Sequence, residues 1–163
     1  MTYPLENLNP ERFQHFCQAL VLRYFPKVQC FPVGQPDGGR DAVSYRIDDN
    51  DDRFMVFQVK FARNPFGEVD PHKWLLAIME DELPKVKKLI EMGASNYLLL
   101  TNIPGTAHPK VGSIDLLNNL MAQALGIPAQ CWWRDDIDRR LDDAWALKWA
   151  YPELMTGADF LRW

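Results

Sequence analysis

Phe54-Met55-Val56-Phe57-Gln58-Val59-Lys60 is the stretch whose reading decides the fold. Its aromatic and β-branched content makes it a strand, and alternation along a strand divides it into two faces. Phe57, Val59 and the following Phe61 take one face and belong in a core, while Gln58 and Lys60 share the other. An amide and an ammonium on the inward or cleft face of a hydrophobic strand need polar partners. The preceding stretch, Asp37-Gly38-Gly39-Arg40-Asp41-Ala42-Val43, supplies one. Residues 41–46 read as a strand and residues 48–52 as an acidic hairpin tip, which lacks the Gly and closing Glu of a calcium loop. Asp41 at the entrance of one strand is thereby expected beside Gln58 and Lys60 at one end of a sheet.

A hard divalent cation next to a polarised phosphate would complete that trio, since Asp41 offers an anionic oxygen, Gln58 a neutral one and Lys60 a positive charge. The elements Gly-Gly-Arg-Asp41 and Phe-Gln58-Val-Lys60 resemble the PD-(D/E)XK nuclease superfamily, in its Mrr-like branch, where Gln commonly replaces the middle acid. The resemblance implies a restriction-endonuclease-like α/β fold, a central mixed sheet flanked by helices, and Mg²⁺- or Mn²⁺-dependent cleavage of double-stranded DNA. It assigns metal binding to Asp41, Gln58 and the backbone carbonyl of Val59, with Lys60 orienting the attacking water. Asp37 follows Pro36 as the superfamily's name suggests, yet it lies in a Gly-flanked turn where Asp bonds locally, and Asp41 is the favoured ligand. The branch often adds a Glu beside a Phe on the first helix. At the corresponding Phe13-Gln14 this chain has Gln, and Glu11 is the candidate substitute; an acid in a first helical turn is also simply favoured by the helix dipole.

The similarity extends further along the chain. Tyr97-Leu-Leu-Leu-Thr-Asn102, Trp132-Trp133-Arg134-Asp135-Asp136 and Trp149-Ala-Tyr-Pro-Glu153 resemble the N-terminal effector domain of bacterial STAND-type antiviral ATPases. That likeness covers nearly the whole of residues 1–163. It implies a longer protein whose ATPase and sensor domains follow, and which works as a homo-oligomer in antiphage defence.

Composition sets the bounds. A chain of 163 residues that is 47% hydrophobic can bury one good core, so a single domain is expected. Cys17, Cys30 and Cys131 are an odd number without metal-type spacing, which argues against disulfides or a zinc knuckle and for a reduced cytoplasm. The start has neither a basic stretch nor an apolar core, and no window is long enough to span a membrane. The net charge of −4 opposes phosphate binding. Much of the acid is clustered, which leaves room for a basic cleft lined by Arg40, Lys60, Arg63, Lys73 and Lys110; of these Arg40, Arg63 and Lys73 are the DNA-binding candidates.

Along the chain, Asn9-Pro10 opens a helix as N-cap and first-turn Pro. Phe13, Phe16, Leu20 and Tyr24 form its stripe, flanked by Cys17 and Val21. Residues 28–33 read as a short strand, and the turn at 34–39 lacks the pattern of a nucleotide-binding loop. Residues 73–92 read as a helix burying Leu75, Leu76, Met79, Val86, Leu89 and Ile90, with Pro84 a place for a split or kink. Residues 95–101 are an apolar run suited to burial on both sheet faces. A helix at 113–125, a strand at 129–133 and a helix at 135–147, capped by Asp135 or Asp136, complete the pattern.

His15 is expected on the outer side of its helix, and His72 and His108 in loops; none has the spacing of a catalytic group or ligand. Trp132 and Trp133 point to opposite faces, so at most one could stack a base, and core packing is the commoner use. The apolar tail either continues into further domains or folds back on its own core. Two other functions compete with the effector nuclease: a nuclease-fold module that has lost acids and only docks DNA or protein, and a repair or junction nuclease acting alone.

Overall fold

The computed structural model describes residues 1–35, 40–45, 53–66 and 71–161. Five strands form one mixed sheet in the order β1 (Val28–Cys30), β2 (Ala42–Tyr45), β3 (Phe54–Lys60), β4 (Ala94–Thr101) and β5 (Ala129–Trp132). The first three run antiparallel to one another and the last three run parallel. Parallel neighbours need crossovers, and helices α2 (Pro71–Glu91) and α3 (Ser113–Leu125) provide them. Two right-handed crossovers stepping in the same direction must lie on the same face of the sheet. Both helices accordingly bury Leu75, Met79, Val86, Leu117 and Met121 against Val56, Tyr97, Leu99 and Cys131.

The opposite face carries α1 (Pro10–Tyr24), α4 (Arg134–Asp142) and α5 (Trp145–Ala150). Phe13, Phe16, Leu20, Ile137, Leu141 and Leu147 pack there on Ala42, Phe57, Leu98, Leu100 and Trp132. Strands β2 to β5 thus feed both cores through their two-residue alternation, which explains the apolar run Tyr97-Leu98-Leu99-Leu100 in β4. Trp132 and Trp133 are both buried, on opposite faces as expected.

Asn9 caps α1 by accepting the Arg12 N–H at 2.7 Å, with Pro10 at the first turn. Tyr24, expected on the buried stripe, is 47% exposed and meets Trp132 edge-on. β1 ends at Cys30, short of the expected 28–33, because Pro32 has no N–H for the ladder. Helix α2 runs through the exposed Pro84 as one element.

It begins at Pro71, so His72 lies on a helix and not in a loop, with its Nε2 2.6 Å from the Pro104 carbonyl. The expected helix over 135–147 is two helices joined through Asp143 and Ala144. The break brings Ala144, Leu147 and Tyr151 onto the core that Ile137 and Leu141 already occupy. Its N-cap is Trp133, and Asp136 accepts the Trp133 N–H at 3.0 Å three positions on, so neither Asp135 nor Asp136 is the cap.

The first residues and the described tail lie close to these helices. Tyr3 donates its N–H to Asp138 and its hydroxyl to Asp142, and accepts from Arg134 through its carbonyl. After a 3-10 turn at Pro152–Leu154, the short α6 (Gly157–Phe160) brings Asp159 to Lys148, so the described tail packs back on the domain. The three cysteines are free, Cys17 and Cys131 buried and Cys30 exposed. No described helix is long and apolar enough to cross a membrane.

Candidate functional site

Because β2 runs antiparallel to β3, its beginning meets the end of β3. Next to the pair Ala42 and Phe57, Asp41 donates its N–H to the Phe57 carbonyl at 2.9 Å and accepts the Val59 N–H through its side chain, on either side of Gln58. The structure therefore brings Asp41, Gln58 and Lys60 to one end of the sheet, with Gln58 and Lys60 on the face that α2 covers. Asp37 lies outside the described residues, as does the acidic tip at 48–52.

Asp41 is 9% exposed and its carboxylate is engaged at both oxygens. Oδ1 accepts from the Gln14 side chain at 2.5 Å, and Oδ2 accepts from the Val59 N–H at 2.6 Å. Gln18, one turn beyond Gln14 on α1, donates to the carbonyls of Phe31 and Asp41 at 2.8 and 2.9 Å. The first helix thus fixes the entry to β2 with two glutamines. Glu11 is exposed in the first turn, whereas Gln14 is the α1 residue that reaches Asp41.

Gln58 is 4% exposed, and each end of its amide has a partner. Its Oε1 accepts the Tyr97 hydroxyl at 2.5 Å, and its Nε2 donates to Glu82 Oε2 at 2.9 Å. Glu82 comes from α2 and also pairs with Lys60 at 3.3 Å and Lys85 at 3.0 Å. Burial pushes the Glu82 carboxyl up, but the Gln58 amide and the two ammonium groups outweigh it and hold the pKa below its ordinary value. Burial drives the Tyr97 phenol well above its usual range, and the charges of Cys131, Glu82 and Asp41 add to the rise. One buried phenol therefore lies in the field of both carboxylates. Lys60 and Glu82, at 21% and 12% side-chain exposure, are the wetter members of the group.

Gln14, Glu82 and Tyr97 are the members that sequence reasoning did not assign. Glu82 had a signal: it follows Met79 by three residues and precedes Val86 by four, so it falls on the buried stripe of its helix, where an acid needs a reason.

Among the proposed basic contacts, Arg40 stacks over the Phe31 ring at 4.7 Å. Arg63 is exposed and lines an open cavity of about 300 Å³ with Glu6, Leu8, Asn9, Pro10 and Phe61. Lys73 and Lys110 are exposed, on α2 and in the loop before α3. His15 is exposed on α1 as expected.

Among the described residues no group of three or more His, Cys, Asp and Glu gathers as a metal cage. Mg²⁺, however, keeps several waters and binds through one or two carboxylates. Asp41 and the Gln58 amide offer oxygens of the kind such a hard, largely hydrated cation takes, and in this structure they accept from Gln14, Val59 and Tyr97. Comparison with family models, with curated proteins and with solved structures gives no match to this chain.

Proposed function

We propose that this domain is a metal-dependent endonuclease that hydrolyses phosphodiester bonds in duplex DNA, with a restriction-endonuclease-like fold. One observation carries the reading: the strand entrance bearing Asp41 lies against the strand end bearing Gln58 and Lys60, the trio on which the sequence resemblance rests. A mixed sheet with helices on both faces, the architecture that resemblance implies, supports it. Asp41, the Gln58 carbonyl and the Val59 carbonyl would hold Mg²⁺ or Mn²⁺. When bound, the cation would lower the pKa of a coordinated water and offset charge on the phosphate.

Lys60 orients the attacking water and stabilises charge on the phosphoryl oxygens. Water attacks phosphorus as the bond to the leaving sugar oxygen breaks, and solvent protonates that oxygen. Arg40, Arg63 and Lys73 are the residues proposed to track the DNA backbone. By the same resemblance the domain is the cytoplasmic effector of an antiphage protein, and assembly driven by a STAND ATPase and sensor raises its activity.

A second reading has its own observation. Gln14, where the enzymes this chain resembles often have an acid, donates to the Asp41 Oδ1 that a cation would need. That contact favours a module that docks DNA or protein without cutting it. Cleavage of supercoiled plasmid with and without Mg²⁺, using Lys60→Ala as control, separates the two. The nuclease reading expects Mg²⁺-dependent nicking that Lys60→Ala abolishes while the melting curve is retained. Absence of cleavage both by the free domain and by copies held together in a tetrameric fusion, or equal cleavage by Lys60→Ala, rejects it.

A further inference from the structure

Resting on the nuclease reading, we propose that Glu82, carried by α2, is the second carboxylate ligand of the divalent cation and makes up for the amides at Gln58 and Gln14. Glu82 sits on the buried stripe of its helix, among Met79, Leu83 and Val86, where a charged side chain is costly unless it is paired. It is not directed to the helix surface or to a helical neighbour alone. Its Oε2 accepts from the Gln58 amide at 2.9 Å, and Val59, next along the same strand, donates its N–H to Asp41. Tyr97 donates to the other end of that amide at 2.5 Å, so Gln58 is held between the phenol and the Glu82 carboxylate.

The chemistry of the donors points the same way. A hard dication prefers anionic oxygen, and the strand-borne set supplies only one such group, Asp41. Glu82 brings the count to two, the upper end of what Mg²⁺ ordinarily takes from protein. Its other oxygen, Oε1, is neutralised by Lys60 and Lys85 at 3.3 and 3.0 Å. Glu82 would exchange its contact with Lys60 for one with the cation, which leaves the Lys60 ammonium to serve water and phosphate.

Titration calorimetry with Mn²⁺ alone tests this on the wild type, Glu82→Gln and Asp41→Ala. Glu82→Gln keeps the shape and can still meet the Gln58 amide; it should bind Mn²⁺ at least about tenfold more weakly while melting as a folded protein. Glu82→Gln that is folded and binds as tightly as wild type, while Asp41→Ala loses binding, overturns the assignment of Glu82 and leaves the nuclease reading standing. A wild type that takes up no Mn²⁺ overturns both. Should Glu82→Gln fail to fold, Lys60→Met is the second arm: with its ammonium competitor gone, Glu82 should take Mn²⁺ severalfold more tightly, and equal or weaker binding overturns the proposal.

Discussion

The Oδ2 oxygen of Asp41 accepts the backbone N–H of Val59 at 2.6 Å, so a side chain supplies a rung beyond the last paired residues of β2 and β3. The residue favoured as metal ligand is therefore also a fastening of the sheet. Asp41→Ala should destabilise the domain by about 1–3 kcal/mol, because it leaves the Val59 N–H and the Gln14 amide without their acceptor. Urea unfolding measures it. Asp41→Ala with wild-type stability would mean that water replaces both contacts, and that the carboxylate has no structural share.

Asp138 gives the fold a pH dependence opposite to that of most carboxylates. Burial pushes its pKa up to about 6, against the opposing pull of the Tyr3 N–H and Arg134. The folded state therefore holds more protons than the unfolded chain between the ordinary Asp value and pH 6, and stability contributed by this group falls as pH rises through that window. Asp138→Asn, which mimics the protonated form, should melt higher than wild type at pH 7.5, by about 2–4 °C for each kcal/mol gained. The gap should close as pH falls from 6 toward 4. A gap that does not change with pH would show that Asp138 titrates normally.

Lys148 and Asp159 form an ion pair at 2.9 Å with both side chains fully buried. The ammonium also lies 4.7 and 4.8 Å from the ring centres of Tyr3 and Trp145, and Asp159 accepts from the Thr156 N–H and hydroxyl. Lys148→Met should cost about 3–5 kcal/mol, since it strands a buried carboxylate. Lys148→Met combined with Asp159→Asn should cost less than the two single changes added together. Additive losses in urea unfolding would show that the two groups do not interact.

The acidic net charge of the chain implies weak DNA binding by a single copy. Fusing residues 1–163 to an unrelated tetramerising coiled coil should raise cleavage per site steeply over the monomer at equal concentration, because linked sites gain about two to four orders of magnitude in avidity. Equal rates for fused and free domains would reject activation by assembly and favour a nuclease that works alone.

Local period made much of this structure legible. The two faces of β3, the double burial of β4, the opposed Trp132 and Trp133 and the Asn9 cap all follow from alternation or from nearest-neighbour chemistry. The break at Asp143 and Ala144 was not legible, because no Gly or Pro marks it and the turn exists to serve packing between distant helices. Gln58 and Lys60 could be placed on one face, but their partner Glu82 lies 24 residues from Gln58 and on a different kind of element. The crossover path of α2 decides that meeting, and periodicity alone offers only an acid on a buried stripe. Gln14 was marked as a position by the resemblance, whereas its role as donor to Asp41 depends on how α1 lies across the sheet.

The clamp on Tyr3 bears on the order in which the domain can be made. Tyr3 is separated from Asp138 by 135 positions and from Asp142 by 139, and Leu5 and Leu8 belong to the core that α4 and α5 complete. Residues 3–8 are thus without these partners until the residues of α4 and α5 have been added. Strands β1 to β4 and helix α2 can gather earlier, since each of these strands pairs with the next one in the chain. The α1 face of the sheet must wait, open and apolar, for the arrival of residues beyond 134, and such delayed closure exposes a nascent chain to wrong associations.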